Sequence, residues 1–272
     1  MVDTKRADKF GWTEEDIRIR PPRRDGVVSF EHRSTSSRLR LREAFRPVLV
    51  EALNRVVKRE VAAIREKLAE GEVRAADAEF LNWLQEYEQE EVRPFLEQAL
   101  APTLAAYAGA VESEVLSELG RPAVSETQAP FLAAYGAILS NIYAERSVGQ
   151  LRALGKPKDG ISPEEAIAQR LGEWLLTRAD KVARIESVRA GEAAAHDTYK
   201  RGGVTRLQWR TNGKNCQYCS RLNGKTVGVQ ETFIPAGTDL QGGENDAPMK
   251  IRGAKLHPPA HRSCACLLRP AE

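Results

Sequence analysis

ISPEEAIAQRLGEWLLTRADKVARIESVRAGEAAAHDTYKRGG, residues 161–203, decides the architecture. Ser162 ahead of Pro163, Glu164 and Glu165 joins an N-cap hydroxyl to a proline at the first helical position and a glutamate at the third, which together start a helix. Ile167, Leu171, Leu175, Val182, Ile185 and Val188 supply the buried face of that helix. Gly202 and Gly203 stop it, and beyond them the chain turns short-ranged, glycine-rich and β-prone. The spacing predicts a long helix that ends near residue 200 and hands over to a region of different character.

Toward the N-terminus the helical pattern repeats. Phe45, Leu49, Leu53, Val57, Val61, Ile64 and Leu68 form one stripe that ends at Gly71, and Leu96, Leu100, Leu104, Tyr107, Val111, Val115 and Leu119 form a second, closed by Gly120 and Pro122. Pro102 lies inside the second and, lacking an amide donor, is expected to kink or restart it. Tyr135 to Leu154 reads as a further helix, and GKPKDG at 155–160 as a linker. The acidic run EYEQEEVRP at 86–94 reads as a solvated helix face. Residues 1–37, with RPPRRDG at 20–26 and STSS at 34–37, have breakers and little to bury, so they read as an extended arm with one short turn capped by Thr13 and Asp16.

Charge is unevenly placed. Residues 200–272 carry 12 lysines and arginines against five acids, a net +7, leaving 29 against 33, or −4, for the rest of the chain. Such a segment attracts phosphate or an acidic protein surface. No stretch approaches the roughly 18 apolar residues of a membrane span, and the N-terminus lacks the apolar core of a secretory signal. Synthesis in a reducing cytoplasm is the expectation, with no membrane partner and no small-molecule substrate.

All four cysteines fall in this basic quarter. Cys216 and Cys219 form a C-x-x-C turn, and His261, Cys264 and Cys266 follow after a gap of 41 residues. Zinc takes four tetrahedral sulfur and nitrogen ligands, and two such turns supply them. Cys216, Cys219, His261 and Cys264 are the favoured set, with Cys266 replacing His261 or Cys264 as the main variant. His257, stiffened by Pro258 and Pro259, is expected outside the ligand set. Two disulfides are the competing reading, which a reducing compartment disfavours. With few large apolar side chains, this segment is marginal on burial alone, and a structural Zn2+ offers roughly 10 kcal/mol or more. A surplus of donors argues for a closed structural site rather than an open catalytic one.

The cations Lys214, Arg221, Lys225, Lys250, Arg252, Lys255 and Arg262, interleaved with Trp209, Tyr218 and Phe233, suggest a weaker alternative, a zinc-stabilised nucleic-acid-binding surface. On the other reading the aromatics fill the small core and the cations keep it soluble. Arg184 and Glu186, two residues apart, do not share a helix face. One is expected to tie the helix to the zinc region and the other to face solvent. His196 reads as a surface or packing residue.

Several of these pieces resemble the phage Mu F-like minor head, or head morphogenesis, proteins. The likeness spans roughly 160–270 and rests on Ala183-Arg184-Ile185-Glu186, Trp209, Cys216 and Cys219 before Leu222-Asn223-Gly224-Lys225, Phe233, and Pro258-Pro259-Ala260-His261-Arg262-Ser263-Cys264-Ala265-Cys266. It departs from the family pattern at Ile185, Arg262 and Ala265, where threonine, proline and arginine are usual. The resemblance implies a virion protein packaged inside the capsid near the portal vertex, with the portal and other head proteins as partners and packaged DNA as a further contact. It implies an assembly role and no enzyme. Its fold-level likeness to ADP-ribosyltransferases raises a remote alternative, for which Arg33, Ser34-Thr35-Ser36 and Glu88-Gln89-Glu90 are the residues in order.

The resulting expectation is a mainly α fold with a small α+β, zinc-stabilised C-terminal domain. Its parts are an arm at 1–37, a helical region at 38–160 and a Mu F-like domain at 161–272.

Overall fold

A computed structural model describes residues 30–71, 77–122, 127–155, 160–213 and 216–271; within its first helix, nothing is said of the side chains before Ser37. The proposed Thr13/Asp16 turn, Lys214 and most of the 155–160 linker lie outside the described residues.

The fold is mainly helical, with a small strand region at its C-terminal end. Helix α1 spans Phe30–Ala69, α2 Ala78–Tyr87, α3 Arg93–Glu118, α4 Ala129–Arg152 and α5 Pro163–Arg201. The helix start at Phe30 corrects the arm boundary, because residues 30–37 are helical rather than extended. From Ser37 onward the reason is visible: Arg38, one turn before Arg42, is buried with it against the far end of the chain, so tertiary partners extend the helix into polar sequence.

Leu49, Leu53, Val57, Val61 and Ile64 of α1 are buried as their spacing requires, and so are Leu96, Leu100, Leu104, Tyr107, Val111 and Val115 of α3. Helix α3 runs unbroken past Pro102, contrary to the expected restart. Leu100 and Leu104, buried on either side of the proline, hold both turns against the core. Helix α5 begins as read, with the Ser162 hydroxyl accepting from Glu165 N at 3.1 Å. Farther along, its Ala190, Gly191, Ala193, Ala194 and Ala195 are all buried. A Cβ on Gly191 would sit 2.4 Å from the Tyr107 hydroxyl, so only glycine lets Tyr107 Oη donate to Ser187 O at 2.6 Å.

Between α2 and α3 the chain passes through a π-helical turn, Glu88–Val92. Glu86, Glu90 and Glu91 face solvent, but Glu88 is fully buried, which corrects the reading of this run as a wholly solvated face. Glu88 lies beside Glu60 of α1, itself fully buried. Glu60 accepts from Tyr143 Oη at 2.7 Å, Ser147 Oγ at 2.8 Å and Arg178 Nη1 at 2.9 Å. The Arg178 guanidinium is sandwiched between the Tyr143 and Trp174 rings, 4.0 and 3.8 Å from their centroids. Among the described residues no donor reaches the Glu88 oxygens at full hydrogen-bond geometry, an arrangement that favours the protonated carboxyl. Burial, and then the Glu60 charge, push its carboxyl up to about 11.

After α5 come β1 (Arg206–Arg210), the short helix α6 (Gln217–Leu222), β2 (Thr226–Gly228), β3 (Asp239–Leu240), β4 (Met249–Lys250) and β5 (Leu267–Ala271). Strand β1 is the centre of an antiparallel sheet ordered β2-β1-β5, with Leu207 opposite Val227 and Trp209 opposite Leu268; β3 and β4 form a separate pair. Leu207 and Trp209 alternate inward along β1, as period-two burial requires. Their core is continuous with that of the bundle.

Candidate metal centre

Cys216 caps the first turn of α6, its sulfur accepting from Cys219 N at 3.4 Å, and this turn aims both thiols the same way. The second segment arrives after a cis Pro258–Pro259 bond and places His261 Nε2 2.9 Å from Cys216 Sγ and 3.1 Å from Cys219 Sγ. Cys219 Sγ lies 3.7 Å from Cys264 Sγ. All five residues singled out in the sequence thus meet, in two groups that can hold a metal ion: Cys216, Cys219 and His261, and Cys219, Cys264 and Cys266. Cys219 belongs to both. Cys216 is exposed, His261 half-buried, and the other three buried; none of the four cysteines forms a disulfide.

The donor set fits a soft divalent ion. Thiolates 2.3 Å from a tetrahedral zinc stand about 3.8 Å apart, close to the Cys219–Cys264 separation. The histidine contacts are roughly half an ångström tighter than that geometry asks, so an ion would spread them. Ser263 N points at His261 Nδ1 at 3.3 Å; ligation through Nε2 puts a proton on Nδ1 and opens this contact. The Cys219 thiol donates to Cys264 Sγ, and that contact, with Cys266 beside it, pulls the Cys264 thiol down and favours a thiolate in this trio. The Trp209 Nε1–H, buried and without an acceptor at full hydrogen-bond geometry, is near enough to Cys266 to favour its thiolate.

The frame around this cluster includes residues the sequence reading passed over. Arg42 Nη1 donates to Ala265 O at 3.2 Å and Nη2 to Cys266 O at 3.3 Å, and Arg38 donates to Leu268 O. Both arginines face Glu192 of α5, at 3.7 and 3.1 Å. Glu192 Oε2 accepts from Leu268 N at 2.7 Å. Burial pushes the Glu192 carboxyl up while Arg38 and Arg42 pull it back. Three charges from two helices thereby fix the backbone that carries Cys264 and Cys266. A lone acid within the small-residue run GEAAA was the one signal in the sequence.

Glu186 is buried but reaches α4, accepting from Tyr135 Oη at 2.7 Å and from Arg189, while Arg184 faces solvent and pairs with Asp180 at 3.0 Å. The helix is therefore tied to the C-terminal segment by Glu192 in place of either residue expected. His196 is a packing residue, half-buried with Nε2 2.7 Å from Val229 O. His257 stays out of both ligand groups, its Nδ1 2.7 Å from Pro258 O; burial lowers it to about 4.

Among the cations, Arg221 Nε donates to Gly242 O at 3.2 Å and Lys225 Nζ to Phe233 O at 2.5 Å, so both brace loops. Lys250, Arg252 and Arg262 are exposed and Lys255 is half-buried. Trp209 and Phe233 pack edge to face in the core, centroids 5.4 Å apart, and Tyr218 donates to Ala247 O at 2.5 Å. Of the residues ordered like a transferase site, Glu88 points into the bundle and Glu90 into solvent, and the side chains of Arg33 and Ser34 to Ser36 lie outside the described residues.

No helix among the described residues is long and apolar enough to cross a membrane. No family model, curated protein or solved structure matches the chain.

Proposed function

We propose that this protein is a minor head protein of a tailed phage, packaged inside the capsid near the portal vertex, with one structural zinc ion fixing its C-terminal segment. The observation that carries the reading is the meeting of two cysteine-bearing turns, 41 residues apart in sequence, around a common sulfur, Cys219. Those two turns are also the most specific part of the likeness to the Mu F-like proteins. Two groups of three donors that share Cys219 offer more than the four ligands a closed zinc site needs, which favours a structural metal over a catalytic one. The exposed bundle then serves as the part that meets the portal and other head proteins in the host cytoplasm, during assembly.

Metal analysis of the purified chain tests the chemical half. One zinc per chain, lost in Cys216→Ser and Cys264→Ser, is the expected result; metal-free protein with titratable thiols or two disulfides overturns it. Co-purification with a portal ring tests the biological half. The second reading, a nucleic-acid-binding module, is favoured by exposed Lys250, Arg252 and Arg262 within the +7 segment. It requires duplex or single-stranded DNA binding that weakens steeply with salt.

A further inference from the structure

Helices α4 and α5 are separated along one side by a groove of about 830 Å³ that opens beside the metal-binding loop at Arg262 and Ser263. Leu139, Ile142, Val182 and Ile185 give it an apolar floor. Leu176 on its edge is 85 % exposed, and Ile138, one turn before Ile142, is 60 % exposed. Exposed Leu176 on the rim, beside the apolar floor, gains from being covered.

The groove's charge narrows what covers it. Its acids are already used: Glu173 pairs with Arg170 at 3.4 Å, Asp180 with Arg46 at 2.7 Å and with Arg184 at 3.0 Å, and Glu186 with Arg189. Arg146, Lys181 and Arg262 line the same groove and form no ion pair or hydrogen bond among the described residues. Partial burial of its side chain, then Arg189 and Arg262 against the opposing pull of Glu186, hold the Arg146 guanidinium below its usual range.

We infer that this groove is the docking site for an acidic amphipathic helix of a partner protein. The lining runs from residue 170 to 186 along α5, about 24 Å of helix at 1.5 Å per residue, so it accommodates roughly four turns. Leucine-like residues at three- and four-residue spacing meet the aliphatic floor, and flanking glutamates or aspartates meet Arg146, Lys181 and Arg262. A phosphodiester backbone satisfies the cations but gains nothing from the floor or from Leu176, which is why a peptide is favoured over nucleic acid. The inference rests on the groove alone and stands or falls separately from the zinc and virion readings.

The test uses the full chain and a fluorescein-labelled synthetic peptide of about four helical turns, leucine on one face and glutamate on its flanks. A second peptide has lysine for glutamate, and a short DNA duplex is the third probe. Arg146, Leu176 and Lys181 are exposed, so a R146E/L176D/K181E variant keeps its fold, checked by its circular dichroism and melting curve. The acidic peptide is expected to bind the parent and to bind the triple variant at least about tenfold more weakly. The lysine peptide is expected to bind the R146E/K181E variant more tightly than it binds the parent. Failure of the acidic peptide to bind, or binding unaffected by the triple variant, overturns the inference. So does DNA that binds the parent and is lost with R146E/K181E while the acidic peptide does not bind.

Discussion

Along α1 the inward positions Leu49, Leu53, Val57, Val61 and Ile64 follow one another with helical regularity, whereas between Arg206 and Ala271 no element exceeds six residues. The bundle gets its shape from repeated apolar contact spread over long helices. The C-terminal segment has large buried side chains too, among them Trp209, Phe233 and Leu268, but takes its shape from a few local ties: the sulfur–imidazole cluster and the Glu192 network. Distributed packing loses a little with each substitution, and concentrated ties lose much with one. The contrast makes a set of graded expectations.

The largest effect is expected from Cys219→Ser or from chelating the ion proposed for the cluster. With the ion worth roughly 10 kcal/mol or more to a small site, chelation or Cys219→Ser should strip hydrogen-exchange protection from the amides of β1 and β5 while α1 to α3 keep theirs. Equal loss in both regions breaks the comparison and makes the chain one cooperative unit. Next is the joint between the regions. Glu192→Ala leaves Arg38 and Arg42 buried without their carboxylate and should cost about 3–5 kcal/mol in urea unfolding. Adding Arg38→Met and Arg42→Met should return part of that loss.

A pH series separates the bundle's own polar cluster from these ties. Glu88 is protonated in the fold, at about 11, but ionises near its ordinary value of 4.5 in the unfolded chain. Its contribution is therefore fully present below 4.5 and is lost as pH rises toward 11. Through that window one proton taken up on folding lowers stability by about 1.4 kcal/mol per pH unit. Glu88→Gln should flatten the slope measured by urea unfolding between roughly pH 5 and 9; an unchanged slope assigns the proton elsewhere. The smallest effect is expected at the α5 cap, where Ser162→Ala should cost about 1 kcal/mol by thermal melting and leave the C-terminal amides untouched.

What could be read ahead of the structure followed from periodicity and from chemical type. The stripes of α1 and α3, the Ser162 cap and the end of α5 at Gly202 are local signals, and the helices lie where they point. The five zinc candidates came from residue type and spacing, which is why all of them meet in space. The misreadings share a different cause. Glu88 looked solvated because three of its acidic neighbours are, and only the π-helical turn rotates it onto Glu60. Pro102 reads as a kink or a restart, and the helix does not restart because packing on both sides of the proline is tertiary. The start of α1 and the role of Glu192 depend on partners more than 70 residues away, where no local pattern reaches.

Arg38 donates to the carbonyl of a residue 230 positions later. At synthesis rates of 5–20 residues per second, a ribosome delivers the acceptor roughly 10–50 s after the donor. Until then the two guanidinium groups of the first helix have Glu192 of α5 as their buried counter-charge but lack the carbonyl acceptors of the C-terminal segment. Strand β5 thus completes the seat of the N-terminal helix, so a chain cut before Leu267 is expected to leave Arg38 without its carbonyl acceptor and α1 more loosely held on α5.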